Sequence, residues 1–241
     1  MTLNQYPLLI PLAPLIAALI TAFPFRNKVL PNYLFSWWLM IVSFLVSLLQ
    51  LARVIQEPEF NQIVLFSWGW SLLPEVAMSV DRLSSVMMVF ISGFGVLLYR
   101  YSVRYLQQDA GHDRYLTLFA LCISSLLFMV SCADFIMLFI FWQLLSWFLS
   151  LLSHNYLHGP TIKSGFRTFI ILRAGDLTFI AGIALAYHLY GTLEFNLIFA
   201  RASIDQTIFS IFGSGLQLTG VTLVTILIFV GAMSKSAQIP L

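Results

Sequence analysis

Stretches of about 20 apolar, almost uncharged residues recur from one end of this chain to the other. Each has the length a helix needs to cross a hydrocarbon core of about 30 Å. A backbone inside lipid must satisfy its own hydrogen bonds, so unbroken blocks of this length dictate helices. Hydropathy places seven spans at about 6–25, 33–55, 83–101, 115–132, 135–153, 166–189 and 214–237. Only 9% of the 241 residues are charged, against roughly 25% in a soluble domain. The expected fold is therefore an all-α polytopic membrane protein of about seven transmembrane helices. A net charge of +2 gives no footing for nucleic acid.

The N-terminus has no basic segment ahead of its apolar run, which continues long enough to be a first span rather than a secretory signal. Pro7, Pro11 and Pro14 fall in the first turns of that span, where proline is tolerated best. The interval 57–80, "EPEFNQIVLFSWGWSLLPEVAMSV", is too broken by Pro, Gly and Glu to cross a membrane and reads as an extramembrane hairpin. Cys122 and Cys132 are ten residues apart in one run, too far along a helix for a disulfide, and read as buried thiols. The loops after spans one, three and five carry Arg26, Lys28, Arg100, Arg104, Arg114, Lys163 and Arg167, whereas the opposite side carries Arg53, Arg82 and Arg201. The positive-inside rule then puts the N-terminus outside and the end of span seven near the cytoplasm.

Three charges sit where a span should have none. Arg173 and Asp176 lie inside span six in "FIILRAGDLTFI", and Lys235 lies near the end of span seven in "GAMSKSAQIP". A charge at bilayer depth costs a few kcal/mol, so it faces protein or water and finds a partner. Three residues apart, Arg173 and Asp176 share a helix face; they are either a mutual ion pair or the border of a hydrated path. Lys235 is either a snorkelling cation or a proton site, since a buried lysine can release its proton and arginine cannot. Pro240 favours a broken helix there, and irregular backbone at depth lines a cavity or packs in protein. Gln143 is the strongly polar residue of span five, suited to an interhelical hydrogen bond. His154 and His158 are spaced i,i+4 but have no evident third ligand for a metal.

"KSAQIPL", "RAGD", "SVDRLS" opening span three and "YGTLEF" after span six together resemble the antiporter-like proton-translocating proteins. That family includes subunit 5 of NADH dehydrogenase complexes and the large subunit of Mrp Na⁺/H⁺ antiporters. The resemblance runs over about residues 70–241. It implies that Lys235 is the family's proton-carrying lysine, with Arg173 and Asp176 as its span-six pair and Gln143 at the edge of the cluster. It also divides the chain into residues 1–113, spans one to three with the hairpin, and 114–241, an incomplete first antiporter-like unit with a broken seventh helix. Respiratory members have Trp-Glu where this chain has Trp142-Gln143, and a glutamine carries no charge and takes up no proton. The membrane subunit of the DAB inorganic-carbon pumps (DabB) lacks this glutamate, and "RYSVRYLQQDAGHDRY" resembles that branch.

The implied function is proton translocation within a multisubunit membrane complex, with an inorganic-carbon pump slightly ahead of NADH dehydrogenase subunit 5. The implied partners are other membrane subunits and, for the carbon pump, a soluble zinc carbonic-anhydrase-like protein. The implied location is a bacterial inner membrane or a cyanobacterial thylakoid or plasma membrane. Family members continue for several more spans, which implies a fragment, a split-gene product or a truncated, non-conducting paralogue. No Ser/His/Asp set, metal cluster or dinucleotide loop suggests a self-contained enzyme or a cofactor.

Overall fold

The computed structural model describes residues 3–22, 29–56, 61–66, 76–109, 111–153, 159–204, 207–210 and 217–236. After a 3-10 turn at Leu3–Leu8 come α1 (Leu9–Ala22), α2 (Val29–Gln56), α3 (Arg82–Tyr105), α4 (His112–Val130), α5 (Phe135–Leu152), α6 (Gly159–Tyr190), α7 (Phe195–Ala202) and α8 (Gly220–Lys235). Helices stand at all seven expected spans. Five are long and apolar enough to cross a membrane, while those at Tyr6–Ala22 and Gly220–Lys235 are shorter.

Two groups of helices can be followed through their packing. In the first, α1 lies against α2 and α4, and α3 lies against α2 and α4; in the second, α8 lies against α6, and α5 joins α4 to α6. Buried hydroxyls knit the first group. Pro14, inside α1, has no N–H and so frees the carbonyl of Ile10. Ser43 of α2 donates to that carbonyl at 2.6 Å, and Ser124 of α4 donates to the Pro11 carbonyl at 2.9 Å. Ser47 and Ser92 meet across α2 and α3 at 2.9 Å. These bonds keep irregular backbone satisfied where no water is available. The outward faces are apolar: Phe90, Phe94 and Leu97 of α3 are all more than half exposed, as a lipid- or subunit-facing surface requires.

Between α2 and α3, β1 (Asn61–Phe66) pairs antiparallel with β2 (Val76–Val80), with a register shift between Val64 and Phe66. Asp81 then caps α3 in a reciprocal box with Ser84. The sequence reading did not foresee α7 or the pair β3 (Ile208–Ser210) and β4 (Gln217–Thr219). Gly191 ends α6 with φ of 65°, a left-handed cap that suits glycine, and α7 follows within a few residues. Thr219, whose side chain accepts from the Thr222 N–H, caps α8. The helix therefore starts at Gly220 rather than at about 214. Its 16 residues are about 24 Å long, less than a full hydrocarbon core. The α8 helix ends at Lys235 with Ser236 as its cap, and Pro240 lies outside the described residues, as do His154 and His158. Cys122 and Cys132 are buried and free.

Candidate functional site

The site forms where α5, α6 and α8 converge. α6 and α8 can touch there because glycine faces each of them. A Cβ on Gly175 would lie 2.0 Å from Ser234 Oγ and 2.2 Å from Ser234 Cβ, and one on Gly231 would lie 2.7 Å from Phe179 Cβ. Small residues of this kind let helix backbones approach closely. Lys235 follows Ser234 directly, so this contact sets its position against α5.

The Lys235 ammonium donates to the Trp142 carbonyl at 2.9 Å and to the Ser146 hydroxyl, and it stands 4.6 Å from the centre of the Trp142 ring. Ser146 spends its own proton on that carbonyl at 3.0 Å, leaving its oxygen free to accept from the lysine. Both acceptors can receive a hydrogen bond from an ammonium or from a neutral amine, with the stronger bond to the ammonium. Among the described residues Lys235 has no ion pair. Two neutral oxygens and an aromatic face hold it instead. Trp142 and Ser146 lie seven and eleven residues beyond Phe135, about 11–17 Å along the 18-residue α5, so Lys235 stands against the middle of that helix.

Trp142 also connects the lysine to the α6 pair. Its ring stacks on Phe179 at 4.5 Å and 3°, and its Nε1–H donates to Asp176 Oδ1 at 2.7 Å. The other carboxylate oxygen of Asp176 lies 3.4 Å from Arg173 Nη1, within ion-pair range but without hydrogen-bond geometry. Arg173 donates to the Gln143 amide oxygen, and its guanidinium lies against the rings of Trp147 and Phe169 at 5.6 and 5.0 Å. The chain of contacts therefore runs Lys235, Trp142, Asp176, Arg173, Gln143.

The four residues singled out from the sequence thus gather in one cluster. Gln143 serves arginine rather than lysine, because successive positions on a helix face directions about 100° apart. Two contact residues were not foreseen. From the sequence Trp142 was singled out only as the neighbour of Gln143, and Ser146 was not singled out. The signal for Ser146 was its i+4 spacing from Trp142, which puts a hydroxyl on the same helix face.

Residues 132–241 match the model described as NADH:quinone oxidoreductase/Mrp antiporter, TM, and residues 71–116 match the chain 5 N-terminus of NADH-ubiquinone oxidoreductase (complex I). The chain belongs to the antiporter-like membrane-subunit family. It is 32% identical over 238 residues to the probable inorganic carbon transporter subunit DabB1 of Halothiobacillus neapolitanus, across 97% of this chain and 40% of that protein. It is 29% identical over 249 residues to the chloroplastic NAD(P)H-quinone oxidoreductase subunit 5 of Zygnema circumcarinatum, across 100% of this chain and 35% of that one. The chain thus spans well under half the length of these curated relatives. The same fold occurs in an archaeal membrane-bound sulfane sulfur reductase, with TM-score 0.76 at 19% identity over 95% of this chain and 44% of that one. It occurs again in the Mrp complex of Dietzia sp. DQ12-45-1b, with TM-score 0.72 at 23% identity over 100% of this chain and 24% of that one. This antiporter-like chain is a multi-pass membrane protein.

Proposed function

We propose that this chain forms part of a proton-translocating membrane subunit of a multisubunit complex, with Lys235 as its proton carrier. The observation that carries the reading is the lysine held against the middle of α5 by the Trp142 carbonyl and the Ser146 hydroxyl. A fixed structural cation inside a span calls for a counter-charge in contact with it, whereas among the described residues this one contacts only neutral acceptors, which can receive a hydrogen bond from either protonation state. Asp176 and Arg173 act on it through Trp142, and Gln143 holds Arg173 in place. The partners on this reading are other membrane subunits of the same complex.

An energy-coupled inorganic-carbon pump is the preferred assembly. What supports it is the match to a carbon transporter subunit along 97% of the chain, together with a span-five residue that carries no charge. A soluble zinc carbonic-anhydrase-like protein would then be the cytoplasmic partner. Subunit 5 of a proton-pumping NAD(P)H-quinone oxidoreductase is the second reading, supported by the match along 100% of the chain.

The test is proton movement in inside-out vesicles containing the protein in its native complex, read with a ΔpH-sensitive dye. Lys235→Ala and Lys235→Arg should each abolish movement, since a guanidinium does not release its proton. Normal movement in Lys235→Arg would show that the position needs only a fixed charge.

A further inference from the structure

A second pair of ionisable groups lies at the start of α5, where β2, the α4–α5 turn and the start of α7 meet. Asp134 and Glu194 face each other in an isolated antiparallel bridge. The Phe135 N–H donates to the Leu193 carbonyl at 3.0 Å, and the Phe195 N–H donates to the Ala133 carbonyl at 3.2 Å. Bonds on the flanking residues make 134 and 194 a non-hydrogen-bonded pair, the closest cross-strand arrangement, with both side chains on one face. Like charges directly opposite in such a pair repel.

Asp134 is 1% exposed. One carboxyl oxygen accepts from the Met137 N–H at 2.7 Å and caps α5, while the other is buried without a hydrogen-bond partner. A buried carboxylate facing a second acid, with an orphaned oxygen, is the situation in which a group neutralises rather than stays charged. We propose that Asp134 and Glu194 form a carboxylic acid–carboxylate pair that binds one proton at this end of the bundle.

Among the described residues neither Asp134 nor Glu194 has an ion pair with a basic side chain. Arg201 of α7 donates to the Tyr190 carbonyl, and Asp81 at the start of α3 accepts from the Ser84 N–H at 2.7 Å, with Arg82 beside it. His188, on the last turn of α6, is exposed, and Cys132 on the same turn as Asp134 is a buried thiol. Burial pushes the Asp134 carboxyl above the ordinary carboxylate range; the Met137 and Ile136 N–H groups oppose this, and the charge of Glu194 adds to it. Cys132, Ala133 and Met78 wall the site with buried side chains. A bound metal cation would need several oxygen ligands, whereas a proton needs only the two carboxyls. Trp142, Phe179 and Ile183, with Phe135, Leu138 and Phe139 packed against them, form an apolar cluster that runs along α5 from Phe135, next to Asp134, to Trp142, which holds Lys235. The pair is thus a proton site distinct from the lysine cluster.

Infrared spectroscopy of the protein reconstituted in lipid, titrated from about pH 4 to pH 9, reads the protonated-carboxyl band directly. Wild type should keep a protonated-carboxyl band above the ordinary aspartate range, and Asp134→Asn should lose it while retaining the cap on α5. Glu194→Gln should move its midpoint to lower pH. If Asp134→Asn does not fold, Asp134→Ser, which also caps, supplies the same assignment, and ¹³C-carboxyl aspartate labelling of wild type shows that the band belongs to an aspartate rather than to a glutamate. A band unchanged in Asp134→Asn or Asp134→Ser, or a midpoint unmoved in Glu194→Gln, would overturn the proposal. So would loss of the band on adding Na⁺ at constant pH, which would make this a sodium site.

Discussion

Alanine at Gly175 tests whether the approach of α6 to α8 positions the lysine. The new methyl would lie 2.2 Å from Ser234 Cβ and 2.0 Å from its Oγ, with the Gly231 carbonyl at 3.4 Å. Carbon atoms settle at about 3.5–4.0 Å, so the helices must separate by roughly 1.3 Å or more. Rotating the serine hydroxyl relieves the oxygen contact but not the Cβ contact, because Cβ is fixed to the backbone. Overpacking costs about 1–3 kcal/mol, and a backbone-fixed contact this short falls at the upper end, about 2–3 kcal/mol, against about 1 kcal/mol gained from alanine's helix propensity. The clash wins. Thermal unfolding in detergent should show Gly175→Ala melting lower by about 2–8 °C. Because Lys235 follows Ser234, the same displacement should weaken its 2.9 Å bond to the Trp142 carbonyl and reduce proton movement. Adding Ser234→Gly removes the clashing atoms, so the double variant should recover most of the loss, with a coupling of about 1 kcal/mol or more. An unchanged melting temperature in Gly175→Ala, or no rescue by Ser234→Gly, would refute this account of the α6–α8 contact.

Trp142→Phe keeps an aromatic ring against Phe179 and beneath Lys235 but removes the donor to Asp176 Oδ1. It should cost about 1–3 kcal/mol in detergent unfolding, the usual penalty for a buried acceptor left unpaired, and an unchanged midpoint would mean that water replaces the indole. The loop charges predict that single cysteines at Gln108 and Thr192, at opposite ends of the bundle, react with an impermeant thiol reagent from opposite sides of the membrane. In the expected orientation Thr192 is labelled from outside; labelling of both from one side would invalidate the topology.

The residues of this chain determined its class and its helices, because the length of an apolar run and the cost of unsatisfied backbone in lipid are local properties. They also singled out Lys235, Arg173 and Asp176, since any charge within a span is expensive wherever its partner stands. The broad family was readable from "RAGD" and "KSAQIPL" for the same reason: both are contiguous. Pairing was not contiguous. That Gln143 serves Arg173, that Ser146 and a backbone carbonyl hold Lys235, and that one tryptophan touches both charged groups depend on how α5, α6 and α8 rotate against one another. Glycines meeting side chains of the facing helix fix that rotation, and a glycine in a sequence does not say what it will face. The bridge between Asp134 and Glu194 joins positions 60 residues apart, closed only when α4, α5 and α7 dock. Composition announces a buried charge, because its cost is paid by one residue. Which atoms answer that charge is settled by distance and orientation between helices, and those arise only from packing.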